Sequence, residues 1–211
     1  MDKSQQAVKV FDKNAQRYQD RFMHMDLYND GFDLFCRKIL KQNPDVLDIA
    51  CGPGNITKYV LQLRPDFKIL GIDLALKMLE LAAQNNPSAT FKLIDVRTIS
   101  TLESKYSGVI CGFCIPYLSK EEAIKLIVDI AGILEGNGVL YISTMEDDYS
   151  KSEMKTSMNG EDQVFVYYHQ ADYLLEALSE NGFSIISTKH QHFPTEDETV
   201  VTDLIIIAQK K

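Results

Sequence analysis

The 211-residue chain has no tryptophan, only six prolines and only four cysteines. Four thiols, Cys36, Cys51, Cys111 and Cys114, are too few to staple a chain of this length, so they read as reduced thiols of a cytoplasmic protein. Cys111 and Cys114 form a C-x-x-C, but a zinc site needs a second ligand pair and Pro116 follows at once; neither a metal nor a redox role is predicted. Nowhere do about 18 apolar residues run together, so no membrane span is predicted. The opening MDKSQQAVKVFDKNAQ has no apolar stretch and predicts no secretory leader. Positive charge is scarce as well. Lys and Arg number 22 against 30 Asp and Glu, a formal net charge of −8 that argues against a nucleic-acid partner.

What is present is a core. Hydrophobic residues make up 45% of the chain, enough for one domain with a small lid. Val8, Phe11, Ala15, Tyr18 and Phe22 recur at helical spacing and predict one apolar stripe. Phe32, Phe35, Cys36, Ile39 and Leu40 form a second, which Pro44 is expected to stop. The period then changes. Short runs with strand character fall at 45–50, 68–73, 90–94, 107–112 and 138–145, with helical patterns at 55–63, 75–85 and 119–134 and a weaker link at 94–107. Strand–helix alternation at this spacing predicts right-handed crossovers and a mostly parallel sheet covered on both faces. A helix at 170–181 precedes two strands, 183–189 and 200–208, joined by a loop at 191–199 that suits an antiparallel pair. The polar stretch 146–161 reads as a loop at the strand ends, either solvated or shaping a pocket.

The most informative segment is Val46-Leu47-Asp48-Ile49-Ala50-Cys51-Gly52-Pro53-Gly54-Asn55, a buried strand entering a small-residue turn before a helix. Such a turn lets a ligand lie against the main chain, and Asp73 ends the next strand near the distance at which an acid meets ribose hydroxyls. The third glycine of a dinucleotide turn would fall on Thr57, and Pro53 removes an N–H. Asp48 would repel a pyrophosphate and favour a cationic ligand.

VLDIACGPGN resembles the first motif of the class I S-adenosylmethionine-dependent methyltransferases, and Gly71-Ile72-Asp73 the second; the resemblance runs from about Pro44 to Met145, with Ala50 in place of the usual first glycine. It implies a Rossmann-like α/β fold: a seven-stranded, mostly parallel sheet with an antiparallel last strand, behind an N-terminal helical lid at 1–43, with the methyltransferase domain at 44–211. It also implies that Asp48 and the backbone of Ala50, Cys51, Gly52, Gly54 and Asn55 hold the methionine part of the cofactor. Asp73 would take the ribose hydroxyls, Leu74 and Met78 would pack on the adenine, and Asp95 and Val96 would bind its edge. Cys111, Gly112 and Phe113 would lie beside the methyl group. Tyr18, on the core stripe, would approach the cofactor's carboxylate, with Phe22 and Tyr28 as lesser candidates.

The function so implied is S-adenosylmethionine-dependent methylation of an unidentified small-molecule acceptor, leaving S-adenosylhomocysteine, without a metal. His24 and His169 are candidates for a base, and Tyr117 for a residue lining the acceptor pocket. Cys114-Ile115-Pro116-Tyr117 only partly matches the Asn- or Asp-led motif of enzymes that methylate nucleic-acid amines, because Cys114 is a poor hydrogen-bond acceptor. The alternatives are a nucleic-acid or protein methyltransferase, a nucleotide-dependent oxidoreductase, and a non-catalytic cofactor-binding protein of the same fold.

Overall fold

The computed structural model describes residues 2–24, 26–157, 160–194 and 200–211. Its centre is strand β1 (Asp45–Ile49), in which Val46, Leu47 and Ile49 are completely buried. A strand buried on both faces must be apolar on both, as Val-Leu-x-Ile is. Around it lie β2 (Lys68–Asp73), β3 (Thr90–Leu93), β4 (Tyr106–Gly112), β5 (Leu134–Glu146), β8 (Phe183–Pro194) and β9 (Val200–Lys210), in the order β3-β2-β1-β4-β5-β9-β8. All the ladders from β3 to β5 are parallel. Strand β9 is antiparallel to both β5 and β8, so it alone runs against the others. The direction of winding reverses between β1 and β4, which opens a crevice at the carboxyl ends of those strands.

Helices α3 (Asn29–Lys38) and α4 (Asn55–Leu63) cover one face through Phe35, Ile39 and Val60, against Ile110, Val139 and Tyr141 of the sheet. Helices α6 (Lys120–Ile133) and α7 (Ala171–Glu180) cover the other through Leu126, Ile130, Leu174 and Leu178. Ser119 and Glu122 close a capping box at the start of α6. Helix α5 (Leu76–Asn85) completes the β2-to-β3 crossover.

Four expectations need correction. The first apolar stripe is broken into α1 (Lys3–Lys13) and α2 (Ala15–Phe22) at Asn14, where φ is −105° and ψ is 16°. The Asn14 side chain donates to the Val10 carbonyl at 2.8 Å, a local bond that competes with helix continuation. The second helix ends at Lys38, well before Pro44, and Leu40 is 89% exposed. Arg64 is the stop: its guanidinium takes the carbonyls of Cys36 (3.2 Å), Ile39 (2.7 Å) and Lys41 (3.0 Å), satisfying the helix end. The stretch 146–161 is structured as a short 3-10 turn (Tyr149–Lys151) and strand β6 (Glu153–Thr156), which pairs antiparallel with β7 (Gln163–Val166). Finally, the strand predicted to end at 189 continues to Pro194, because its pairing with β9 extends to the Pro194–Val200 position. Within the two expected loops, residues 158–159 and 195–199 lie outside the described residues.

Candidate active site

The chain leaves β1 through a turn that only a few residue types tolerate. Ala50 has φ +52°, Gly52 +53° and Gly54 +76°, all left-handed. A Cβ on Gly54 would lie 2.4 Å from Asn86 Nδ2, whose amide donates to the Gly54 carbonyl at 3.0 Å; both conformation and space therefore demand glycine there. Asn85 donates to the Pro53 carbonyl at 2.8 Å, so the end of α5 clamps the turn. Asp73, at the tip of β2, spans the turn's other side. Its Oδ2 accepts from Gly52 N–H at 2.9 Å and its Oδ1 from Ala75 N–H at 2.8 Å. Burial raises its pKa, against the lowering effect of these backbone donors.

Asp48 lies beneath the turn, fully buried. The Thr57 hydroxyl donates to its Oδ2 at 2.6 Å, while Oδ1 has no partner among the described residues. Desolvation pushes its pKa up to about 7, with the Thr57 bond opposing and the charge of Asp73 adding to the rise.

Above the turn is a cavity of about 120 Å³ that opens toward solvent. From the sheet side it is lined by Ala50, Gly52, Asp73, Leu74, Met78, Asp95, Val96, Arg97, Gly112, Phe113, Cys114, Tyr117 and Leu118. From the N-terminal side Ser4, Ala7, Val8 and Phe11 of α1 and Tyr18 of α2 close it. Phe11 packs edge-on against Tyr18 (5.8 Å between centroids) and Tyr117 (4.9 Å). Burial, with the nearby charge of Asp73, pushes the Tyr18 phenol up to about 12.

A methyltransferase-domain family matches residues 46–138, which span the turn, the Asp73 strand and β4. The chain is 29% identical over 117 residues to a demethylmenaquinone methyltransferase of Thermotoga maritima (51% of this chain, 48% of that protein). It is also 29% identical over 110 residues to a trans-aconitate 2-methyltransferase of Variovorax paradoxus (52% and 42%). The chain thus spans about half the length of these curated relatives. Among solved structures, the magnesium protoporphyrin IX methyltransferase of Synechocystis PCC 6803 with bound S-adenosylmethionine superposes with a TM-score of 0.72 at 19% identity, covering 100% of this chain and 98% of that one. The DhpI complex with S-adenosylhomocysteine gives 0.70 at 16% identity, covering 97% and 96%. The matched segment thus resembles a methyltransferase domain, and the chain shares the fold of solved S-adenosylmethionine-dependent methyltransferases.

Within this methyltransferase fold the predicted residues separate into two groups. Tyr18, Ala50, Gly52, Asp73, Leu74, Met78, Asp95, Val96, Gly112 and Phe113 all line the cavity, as does Tyr117. Asp48, Cys51, Gly54, Asn55 and Cys111 do not: Asp48 and Cys111 are fully buried, Cys51 lies against Gly71, and Gly54 faces Asn86. Asp95 is also less free than a ligand-only carboxylate. It caps the 3-10 segment Val96–Thr101 by accepting from Arg97 N–H at 2.9 Å, and it pairs with the Arg97 side chain at 2.7 Å. Burial pushes its pKa up, but the Arg97 bonds outweigh that and hold it below the usual carboxylate range.

The histidine candidates fall away. His24 is exposed and outside the cavity lining. His169 is fully buried, with Nε2 donating to the Ile115 carbonyl at 2.7 Å and Nδ1 accepting from the Tyr173 hydroxyl. Burial lowers its pKa to about 4 despite the backbone bonds. It is a neutral pin between α7 and the 3-10 turn Ile115–Tyr117. The C-x-x-C thiols are buried, and among the described residues no His, Cys, Asp or Glu cluster has the makings of a metal site.

Sequence reasoning missed Ser4, Ala7, Arg97 and Leu118 in the cavity wall, and the pairing of Tyr28 with Asp203 behind Phe113. Phe113 itself sits at φ +51°, held by hydrogen bonds from its N–H to the carbonyl (3.1 Å) and hydroxyl (3.2 Å) of Ser143. The ring of Tyr28 packs 5.1 Å from it and donates its hydroxyl to Asp203 Oδ2 at 2.6 Å. Asp203 is 4% exposed, and burial pushes its pKa up to about 6, the Tyr28 bond notwithstanding.

Proposed function

We propose that the protein transfers the methyl group of S-adenosylmethionine to a small-molecule acceptor. The observation that carries this reading is a ribose-competent carboxylate, Asp73, facing the same cavity as a left-handed turn whose backbone is open to a ligand. The residues fit the cofactor. Oδ2 of Asp73 accepts from Gly52 and Oδ1 from Ala75, and each oxygen keeps a lone pair for a ribose hydroxyl. Leu74 and Met78 offer an apolar bed for adenine, Asp95 an acceptor for its amino group, and Val96 its main chain. The orphaned, buried Oδ1 of Asp48 under the turn is an acceptor awaiting an ammonium or an ordered water between the two.

When bound, the cofactor supplies a methyl group on a sulfonium, an already good leaving group. The chain's task is alignment and exclusion of water, which supply roughly 7–11 kcal/mol in well-oriented reactions. Helices α1 and α2 act as the lid, placing Phe11 and Tyr18 over the cavity, and Phe113 and Tyr117 wall the acceptor side. A cavity covered by two helices favours a small acceptor over a polymer. The four buried thiols and the acidic balance favour a cytoplasmic protein with no nucleic-acid partner.

Isothermal titration with S-adenosylhomocysteine tests the reading. The parent protein binds it, and Asp73→Ala weakens binding about 100-fold, as expected for loss of charge-assisted bonds worth about 3 kcal/mol together, while circular dichroism is retained. Equal affinities, or preferential binding of NADH, would remove the ribose assignment.

A further inference from the structure

Arg97 is the hub of a three-carboxylate cluster at the rim of the cavity. Its Nη2 meets Asp95 Oδ2 at 2.7 Å and its Nε lies 3.1 Å from both Asp95 oxygens. Its Nη1 meets Asp2 Oδ2 at 2.7 Å and Glu122 Oε1 at 3.5 Å. These partners belong to three separate elements. Asp2 is the N-cap of α1, its Oδ1 accepting from Ser4 N–H at 3.0 Å. Asp95 faces the cavity, and Glu122 closes the capping box of α6.

We infer that Arg97 is a positioning residue that couples closure of the lid to recognition of the adenine edge. The inference rests on the S-adenosylmethionine reading of the cavity. A guanidinium presents five N–H groups in a fixed plane, so it can fork onto Asp95 with one edge and reach Asp2 with the other; a lysine ammonium has no such geometry. The other polar ties of α1 end elsewhere. Ser4 Oγ donates to the Tyr117 carbonyl at 2.8 Å, Gln6 to the Gln163 carbonyl at 3.1 Å, and Lys13 pairs with Asp162 at 2.9 Å. Asp12 accepts from Lys77 N–H at 2.8 Å. Of these ties of α1 and its cap, Asp2–Arg97 is the one that leads to a carboxylate lining the cavity.

Two effects follow. Arg97 keeps Asp95 ionised and fixed in direction, so that it accepts from the 6-amino group of adenine and repels the 6-oxo group of hypoxanthine. Through Asp2 the same side chain anchors the first turn of the lid above that contact. Loss of Arg97 therefore loosens the lid and blunts base discrimination together, whereas loss of Asp2 loosens the lid alone.

Stopped-flow displacement and calorimetry with S-adenosylhomocysteine and its hypoxanthine analogue, S-inosylhomocysteine, separate these effects. The parent is expected to prefer the adenine compound by about 50-fold or more, and Arg97→Gln to release it about 10-fold faster with discrimination cut about 5-fold. Asp2→Asn is expected to speed release about 3-fold with discrimination intact, and Arg97→Lys to restore part of the residence time without restoring discrimination. The cluster is partly exposed, with 27% of the Arg97 side chain accessible, so thermal melts should show these variants folded. Parental release and parental discrimination in Arg97→Gln would overturn the coupling while leaving the cofactor reading in place. A parent that does not bind S-adenosylhomocysteine would overturn both.

Discussion

At the end of the cavity under β2 and β3, each carboxylate takes a bond from a near neighbour in sequence. Asp73 accepts from Ala75 two positions on, and Asp95 from Arg97, also two positions on. Behind Phe113 the arrangement is the reverse: Tyr28 and Asp203 are 175 positions apart and meet only because α3 and β9 both pack on β5. The first end is built mainly from local bonds, with Gly52, 21 positions from Asp73, completing its hold. The second is a tertiary one, assembled by the fold, and it carries a different kind of cost: a carboxylate taken out of water and stabilised by a distant phenol.

Removing that phenol gives the largest effect expected. Tyr28→Phe leaves Asp203 without its donor and is predicted to cost about 2–3 kcal/mol at pH 8, as for a charged group that loses a buried hydrogen bond. The sign with pH is fixed by the direction of the shift. Burial raises the folded pKa of Asp203 to about 6, above the ordinary aspartate range, so the folded state holds its proton more tightly. Its favourable contribution is complete below about pH 4 and is lost as pH rises through about 6. The Tyr28 bond lowers that pKa, so Tyr28→Phe extends the loss to higher pH, and urea denaturation at pH 5 should show a smaller penalty than at pH 8. S-adenosylhomocysteine affinity should stay within about twofold, as for a site outside the cofactor contacts. A marked loss of affinity would erase the distinction between the two ends.

Asp48 tests where the boundary between them runs. It belongs to the first motif in sequence, yet it is as buried as any core residue. Its folded pKa of about 7 means that ionisation opposes folding, and the parent should lose stability between about pH 4 and pH 7 on its account. Asp48→Asn keeps the acceptor for Thr57 without the charge. Without cofactor it is expected to gain on the order of 1–2 kcal/mol at pH 8 and little at pH 4, since each pKa unit is worth about 1.4 kcal/mol and the new amide goes partly unpaired. With S-adenosylhomocysteine it should bind about 10-fold more weakly. A gain in stability with no loss of affinity would reassign Asp48 to the core.

These residues also show what the sequence made legible. The mostly parallel sheet and the acid-tipped turn follow from signals in one stretch from Val46 to Asp73: the Val46–Ile49 run, the small-residue turn, and an acid at the end of β2. The placement of Asp48 did not follow, because a motif specifies a position along the chain and not the direction in which its side chain faces. His169 looked available as a base, but its Nε2 is tied to Ile115, 54 positions away. The β6–β7 hairpin was hidden by polar residues: all of β6 is exposed, so it carries no alternation of apolar and polar faces to read. Arg97 looked like any charged residue in a turn. Only the fold brings Asp2 and Glu122 to it.

The smallest expected effect lies within the motif itself. Ala50, which takes the place of the first glycine in the motif the turn resembles, sits at φ +52°. Left-handed backbone costs an L-residue roughly 1–2 kcal/mol, and glycine adopts it freely but loses more entropy on folding, by roughly 0.5–1 kcal/mol. The difference predicts that Ala50→Gly raises stability by about 0.5–1 kcal/mol, readable as a shift in urea midpoint at constant m-value. Ala50 also lines the cavity and packs at the edge of the main core, so its methyl group contributes contacts that oppose the gain. A net loss on Ala50→Gly would show that packing outweighs strain here, and the turn would then count as core rather than as a conformationally strained ligand cradle. A gain with S-adenosylhomocysteine affinity held within about twofold would place the strain in the turn and leave the cofactor's contacts to the backbone.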